Sequence, residues 1–444
     1  MNSRNKTRDI IVSGFALFAI FFGAGNLIFP PLLGNIAGTS WIAAMTGFLS
    51  TDPILPVLGL VATAFVGGRA EDLGKRVSPK FAIILASICI LLIGPILSVP
   101  RTAATTFEIA VQPYVADHFG TIAMVATSLV FFGIAWYFSI NEGKVIDIIG
   151  QFLTPGLLIV LAAIIIKAFF MPIGAIVDTG LENSFHRGFT EGYQTMDALG
   201  AALMCGLVLT NLIKNGYTEP KVQRSMLIRS GLIALVLLAL VYGGLTFVGA
   251  QTSAAPQTDR VALLLSIVRQ VFGSAGGVLI GITVALACLT TAVGLTSTAG
   301  NFFSKVSGGR LSYKTIVTAV VIFSTFMSLL SVSGIIQLAV PILSTIYPVV
   351  IVLIIITLFD RYIKYDLSYQ GPVAIAFVIG FFEAMYGSFG WFERVHELLM
   401  RVPLGAQGFP WAIPALLFFL AFTLIGKATG KSRRPAFSYS ELSE

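Results

Sequence analysis

Charge is scarce in this chain: Asp, Glu, Lys and Arg make up 11% of its 444 residues, where a soluble domain carries about a quarter. Histidine is nearly absent, with His118, His186 and His396 all outside the apolar runs, and HELLM around His396 lacks the second histidine of a metalloprotease motif. There are three cysteines, Cys89, Cys205 and Cys288, each inside an apolar stretch, so no disulfide framework is implied. A phosphate-binding glycine loop at P-loop spacing is missing as well, which argues against an ATP-driven pump in one chain. No enzymatic signature remains.

What is abundant is apolar surface: 56% of residues are hydrophobic, and the mean hydropathy is +0.90. Stretches of about 20 residues, the length that crosses a hydrocarbon layer of roughly 30 Å, recur along the whole sequence. The reading is one polytopic all-α membrane unit without a soluble domain, with twelve spans at 10–35, 41–66, 80–112, 119–140, 147–170, 191–213, 224–250, 274–304, 313–332, 335–358, 370–387 and 409–427, and a tail over 428–444. Arg4, Lys6 and Arg8 before the first stretch mimic a secretory signal, but that stretch contains two prolines and no small-residue cleavage site. It reads as a resident span. With the N-terminus inside, 21 of the 28 Lys and Arg fall on the inner face, six on the outer, and Arg101 lies within a span. The net charge of +7 therefore records a multi-pass protein with both termini cytoplasmic, not a nucleic-acid partner. Lipid is its surroundings, and no obligatory protein partner is expected.

Span 1 is interrupted. FFGAGNLIFPP, Phe21 to Pro31, sets two glycines and two prolines inside an apolar run. Non-helical backbone at membrane depth is tolerated only where it is buried in protein or lines a cavity. A second interruption is expected at GAALMCG, Gly200 to Gly206, in span 6, and paired broken helices mark a transporter's binding site. Five spans separate the two starts, so a repeat of spans 1–5 in 6–10 (about 10–170 and 191–358) would be inverted, with two appended helices over 370–427. Thr258 to Gly273 reads as a short interfacial helix, either a lid over an outer vestibule or an ordinary surface helix.

The break in span 1 leaves two half-helix ends facing one space. Backbone N–H groups of Ala24 and Gly25, beside Asn26, favour an anion such as a carboxylate, while the carbonyls around Ala19 to Phe22 favour a cation. Span 8 carries LACLTTAVGLTSTAGN, Leu286 to Asn301, where adjacent Thr290 and Thr291 offer hard oxygen ligands of the kind Na⁺ prefers. Singly, such hydroxyls bond back to the preceding turn. In span 3, Arg101 and Glu108 stand seven residues apart on one helical face. Either they form a structural pair or Arg101 lines the outer pathway, with structure or gating favoured over substrate contact. Asp197 either caps the segment entering the second break or relays protons, whereas Asp52 and Glu383 read as hydrogen-bonded structural acids.

FFGAGNLIFPP, GPILSVPRTAATTFE (Gly94 to Glu108) and EGYQTMDALGAAL (Glu191 to Leu203) resemble the bacterial branched-chain amino acid carrier family, in order and over essentially the whole chain. The resemblance implies cation-coupled uptake of leucine, isoleucine and valine across the inner membrane, usually with Na⁺ as the coupling ion. It also implies the five-plus-five inverted-repeat fold of the leucine transporter, with helices 1 and 6 broken. By that resemblance the ion falls to carbonyls of Ala19, Phe22 and Ala287 and hydroxyls of Thr290 and Thr291. The substrate carboxylate falls to N–H groups of Ala24 and Gly25. Ala202 to Gly206 would be the unwound part of helix 6, its carbonyls meeting the amino group and Leu203 or Cys205 meeting the aliphatic side chain. A proton-coupled neutral amino acid carrier, with Asp197 or Glu108 as relay, is the nearest alternative. An ion channel or a non-transporting membrane protein requires no paired breaks.

Overall fold

A computed structural model describes residues 6–140 and 145–430. The tail expected over 428–444 lies outside the described residues from 431 onward. Helix dominates, as it must where hydrocarbon offers the backbone no partners. The first apolar run becomes α1 (Lys6–Phe21) and α2 (Ala24–Ala37), and the second α3 (Trp41–Thr51) and α4 (Ile54–Val66). The third is α5 (Pro79–Leu91) and α6 (Ser98–Thr106), joined and followed by π-helical turns over Leu92–Ile96 and Phe107–Val111. α7 (Gly120–Ile140) and α8 (Val145–Phe170) follow. The sixth run divides into α9 (Ser184–Tyr193) and α10 (Asp197–Lys214), and α11 (Pro220–Ala250) is continuous. α12 (Arg260–Val306) bends at Gly273, where φ is 68°. The remaining helices are α13 (Tyr313–Met327), α14 (Ser331–Leu358), α15 (Leu367–Phe389), the short α16 (Glu393–Met400) and α17 (Ala412–Thr429). Among the described residues eight helices are long and apolar enough to span a bilayer, and nine if the bent pair α9–α10 is one span.

The helix expected near Thr258 is the first arm of α12, capped by Asp259, whose Oδ1 accepts from the N–H groups of Val261 and Ala262 at 2.8 and 2.9 Å. Glycine sets the closest helix approaches. Gly34 of α2 faces the backbone of Thr246 and Ala250 on α11, and Gly249 of α11 faces the backbone of Pro31 on α2. Gly47 and Gly188 do the same for α3 and α9. Dispersion and close backbone contact, not a hydrophobic driving force, hold helices together in lipid, so small residues belong there. These two pairs fix α2 and α9, the segments adjoining the breaks in the first and sixth runs, against α11 and α3.

Glu383 Oε1 accepts from the His396 ring at 3.0 Å, joining α15 to α16. Arg76, beyond the end of α4, reaches Asp360 at 2.6 Å and Asp366 at 2.9 Å and lies over the Tyr369 ring. At the other end Glu191 of α9 pairs with Arg260 at 2.7 Å and with Arg187 at 3.6 Å. Each end of the helical body is thus tied by a partly buried ionic contact across elements distant in sequence.

Candidate functional site

The break in the first run falls at Phe22 and Gly23, inside the segment expected from its glycines. The Phe22 N–H still reaches the Phe18 carbonyl at 2.8 Å, Gly23 adopts an extended conformation, and α2 starts at Ala24. The break in the sixth run lies elsewhere than expected. α10 runs unbroken from Asp197 to Lys214, so Ala202, Leu203, Cys205 and Gly206 are regular helix whose carbonyls serve the helix ladder. The chain departs from helix at Gln194, Thr195 and Met196 instead, with Met196 at a φ of 65°. No glycine marks this point. Its cause is tertiary: Arg101 Nη1 donates to the Gln194 carbonyl at 2.7 Å, satisfying a group the helix has released.

Between the two breaks lies a cavity of about 260 Å³, slightly under the roughly 300 Å³ at which small-molecule pockets begin and suited to a small solute. Its walls take Ala19, Gly25 and Asn26 from the first run, Arg101 from α6, Asp197 from α10, and Thr290 and Thr291 from α12. Seven expected site residues therefore meet here. Thr195, Met196, Gly200 and Met204 are the contributions of the sixth run. Ala202 and Leu203 line a separate void of about 30 Å³ with Cys89, while Cys205 is fully buried and Gly206 faces the Gly68 carbonyl. Phe22 is buried, stacked between Phe18 and Tyr242 at centroid distances of 5.3 and 6.1 Å.

Asn26 organises one wall. Its amide nitrogen lies 2.8 Å from the Phe21 carbonyl, 3.2 Å from Asp52 Oδ2, 2.7 Å from Asp197 Oδ2 and 2.5 Å from the Tyr242 hydroxyl. The reverse amide orientation would set its oxygen against these same oxygens, so the partners assign the flip. One side chain thereby ties the first, second, sixth and seventh apolar runs together. An amide carries two hydrogens, fewer than the four oxygens around it. Tyr242 supplies a third hydrogen. Asp52, expected to be a hydrogen-bonded structural acid, is one, and it adopts an extended conformation at the α3–α4 break before Pro53. The bonds of Asp52 and Tyr242 to Asn26 behind the wall, and the place of Thr195 on the wall, were not expected. A lone acid followed by proline in an otherwise apolar run was the signal for Asp52.

Arg101 and Glu108 do not pair. Each takes a backbone group left over at a helix end: Arg101 the Gln194 carbonyl, Glu108 the Val332 N–H at 2.8 Å in the first turn of α14. Orphan groups of this kind are costly to bury unmet. Glu108 stands apart from the cavity, and Arg101 lines it.

On the opposite wall the Thr290 and Thr291 hydroxyls donate to the Ala287 carbonyl at 2.8 and 3.0 Å. Their hydrogens are thus spent within the helix, and their lone pairs remain available to a cation. With Ala19 on the same cavity, these hard oxygens fit a small monovalent cation by the chemistry of the donor set. Among the described residues no group of three or more His, Cys, Asp and Glu has the makings of a metal site.

A sequence profile for the family described as "Branched-chain amino acid transport protein" matches residues 6–429. The chain is 36% identical over 422 residues to the branched-chain amino acid permease BraB of Bacillus subtilis, covering 92% of this chain and 94% of that one. It is 34% identical over 439 residues to the branched-chain amino acid permease BrnQ of Escherichia coli, covering 97% and 98%. Among solved structures it resembles the inward-facing conformation of Mhp1, with a TM-score of 0.59 at 12% identity over 97% of this chain and 93% of that one. It also resembles MhsT in complex with L-phenylalanine, with a TM-score of 0.51 at 15% identity over 94% and 98%. These last two likenesses bear on the fold alone.

Proposed function

The chain belongs to the branched-chain amino acid transport protein family, and from that premise we propose that it is a secondary active carrier bringing leucine, isoleucine and valine into the cytoplasm by Na⁺-coupled symport. The observation that carries the reading is the cavity between two broken helices, with a hard-oxygen wall on α12 opposite an acid and amide wall on α2 and α10. Ala19, Phe22, Ala287, Thr290 and Thr291 would hold Na⁺, which supplies a fixed positive charge close to the substrate. The N–H groups opening α2 at Ala24 and Gly25 meet the carboxylate, as helix N-termini do. Alternating access follows from rocking the broken helices against their surroundings, in a twelve-span membrane protein with five-plus-five inverted repeats and both termini inside. The ionic contacts at Glu191 and Arg76 are then the ties broken and remade at the two ends.

The test is uptake of labelled leucine into proteoliposomes with and without an inward Na⁺ gradient. Accumulation that ignores the gradient would remove Na⁺ from the reading. The buried acids around Asn26 favour one rival, coupling to protons. Uptake driven by an inward proton gradient in the absence of Na⁺, with Thr290→Ala silent, would select it. Flux through a channel would show no exchange of internal for external leucine.

A further inference from the structure

We propose that Arg101 and Asp197 form a side-chain clamp for the two charges of a zwitterion, the guanidinium joining the Ala24 and Gly25 N–H groups on the α-carboxylate and the Asp197 carboxylate taking the α-ammonium. The proposal rests on the amino acid carrier reading and replaces the expectation that helix 6 carbonyls at Ala202 to Gly206 receive the amino group. Those carbonyls lie within a continuous helix.

An arginine and an aspartate line one cavity with no salt bridge between them. Arg101, from α6, is 3% exposed, and Asp197 opens α10; both are on the wall. Among the described residues neither makes an ion pair within 4.0 Å. Charges at this depth are costly unless paired or wetted. An amino acid supplies a counter-charge to each and meets both needs at once.

Both groups are also held before anything binds. Arg101 Nη1 is fixed on the Gln194 carbonyl at 2.7 Å, and its guanidinium carbon lies 5.2 Å from the Phe29 ring centroid. Its Nη2 lies 2.5 Å from where a Cβ on Gly25 would stand, which leaves no room for a side chain between Arg101 and the start of α2. Asp197 Oδ2 is held by Asn26 at 2.7 Å. A guanidinium offers a carboxylate paired N–H donors that an ammonium cannot match in geometry. Preorganised groups spare the ordering cost that otherwise reduces affinity. Between the hydroxyls of Ser98, Thr102, Thr195 and Thr298 the wall also carries Ile20, Ile93, Met204 and Leu295, which are available to an aliphatic side chain. Because Arg101 holds the sixth-run break and touches the first-run break, occupancy of the clamp bears on both broken helices together.

The experiment measures competition against labelled leucine on the full-length purified protein in NaCl at one pH. The competitors are leucine, 4-methylpentanoate, which lacks the ammonium, and 3-methylbutylamine, which lacks the carboxylate. The wild type should prefer leucine over either analogue by at least 100-fold. Asp197→Asn should weaken leucine at least 30-fold while leaving 4-methylpentanoate within threefold, so that the preference for the ammonium collapses. Arg101→Gln should do the converse, weakening leucine while sparing 3-methylbutylamine. If Arg101→Gln does not yield monodisperse protein, Arg101→Lys is measured instead and should weaken leucine at least fivefold. Equal losses for leucine and both analogues, or leucine affinity within threefold of wild type in Asp197→Asn, overturn the clamp. A wild-type protein that binds no leucine overturns the carrier reading and the clamp with it.

Discussion

Gly23 and Gly25 belong to one GAG motif, yet the structure assigns them different tolerances. At Gly23, in an extended conformation with φ of −95°, an added Cβ meets nothing within 4 Å. At Gly25 the same atom would lie 2.5 Å from Arg101 Nη2, 3.0 Å from Arg101 Cζ and 3.0 Å from Phe29 Cε2. Alanine at position 25 favours the α2 helix by about 1 kcal/mol over glycine, so the helix itself does not suffer. What must yield is Arg101, which is buried and cannot withdraw without lengthening its 2.7 Å bond to the Gln194 carbonyl. A hydrogen bond from a charged donor contributes about 1.5–3 kcal/mol net, which outweighs the propensity gain as far as the site is concerned. At 1.4 kcal/mol per decade this is a loss of about 10- to 100-fold in leucine affinity. The assay is the leucine dependence of uptake in proteoliposomes, with size-exclusion profiles to certify folding. Gly25→Ala should raise KM by at least tenfold more than Gly23→Ala does. Equal effects of the two substitutions would refute the claim that Arg101 is pinned on Gly25.

Three further outcomes follow from the same geometry. Thr290→Ala and Thr291→Ala should each raise the Na⁺ concentration for half-maximal uptake about tenfold, the equivalent of one lost oxygen donor at about 1.4 kcal/mol, with leucine KM at saturating Na⁺ little changed; an unaltered Na⁺ dependence would remove both from the ion site. Glu191→Ala strands Arg260, whose side chain is 15% exposed, and should lower thermal stability in detergent by about 1–3 kcal/mol. That is less than a fully buried pair would give, because water still reaches the arginine, and a melting curve identical to wild type would show the contact to be inert. Gly249→Ala and Gly34→Ala each drive a methyl into the facing helix backbone, at the Pro31 carbonyl and the Thr246 carbonyl respectively. Since backbone cannot rotate aside, overpacking of about 1–3 kcal/mol or more is expected, read as loss of the monodisperse peak.

Hydropathy, the charge distribution and FFGAGNLIFPP were enough to show an all-helical membrane protein broken in its first span, because both the length of an apolar run and the presence of glycine and proline are local properties. Thr290 and Thr291 could be singled out for the same reason, and the fold sets both on the cavity. The second break could not. Glycine drew attention to Gly200 and Gly206, which lie in an intact helix, where Gly206 serves close approach to Gly68 and Gly200 borders the cavity. The chain opens at Gln194 to Met196 because Arg101, 93 residues earlier, accepts the burden of the freed carbonyl. Pairing of Arg101 with Glu108 was one of two readings that their shared helical face allowed, and it fails because orphan backbone groups at Gln194 and Val332 are nearer needs. Only the tertiary structure brings Asn26, Asp52, Asp197 and Tyr242 to one point, from segments as much as 216 residues apart. Apolar periodicity is written along the chain, whereas the meeting of buried polar groups is set by which helices touch, and that decides where a substrate's charges can go.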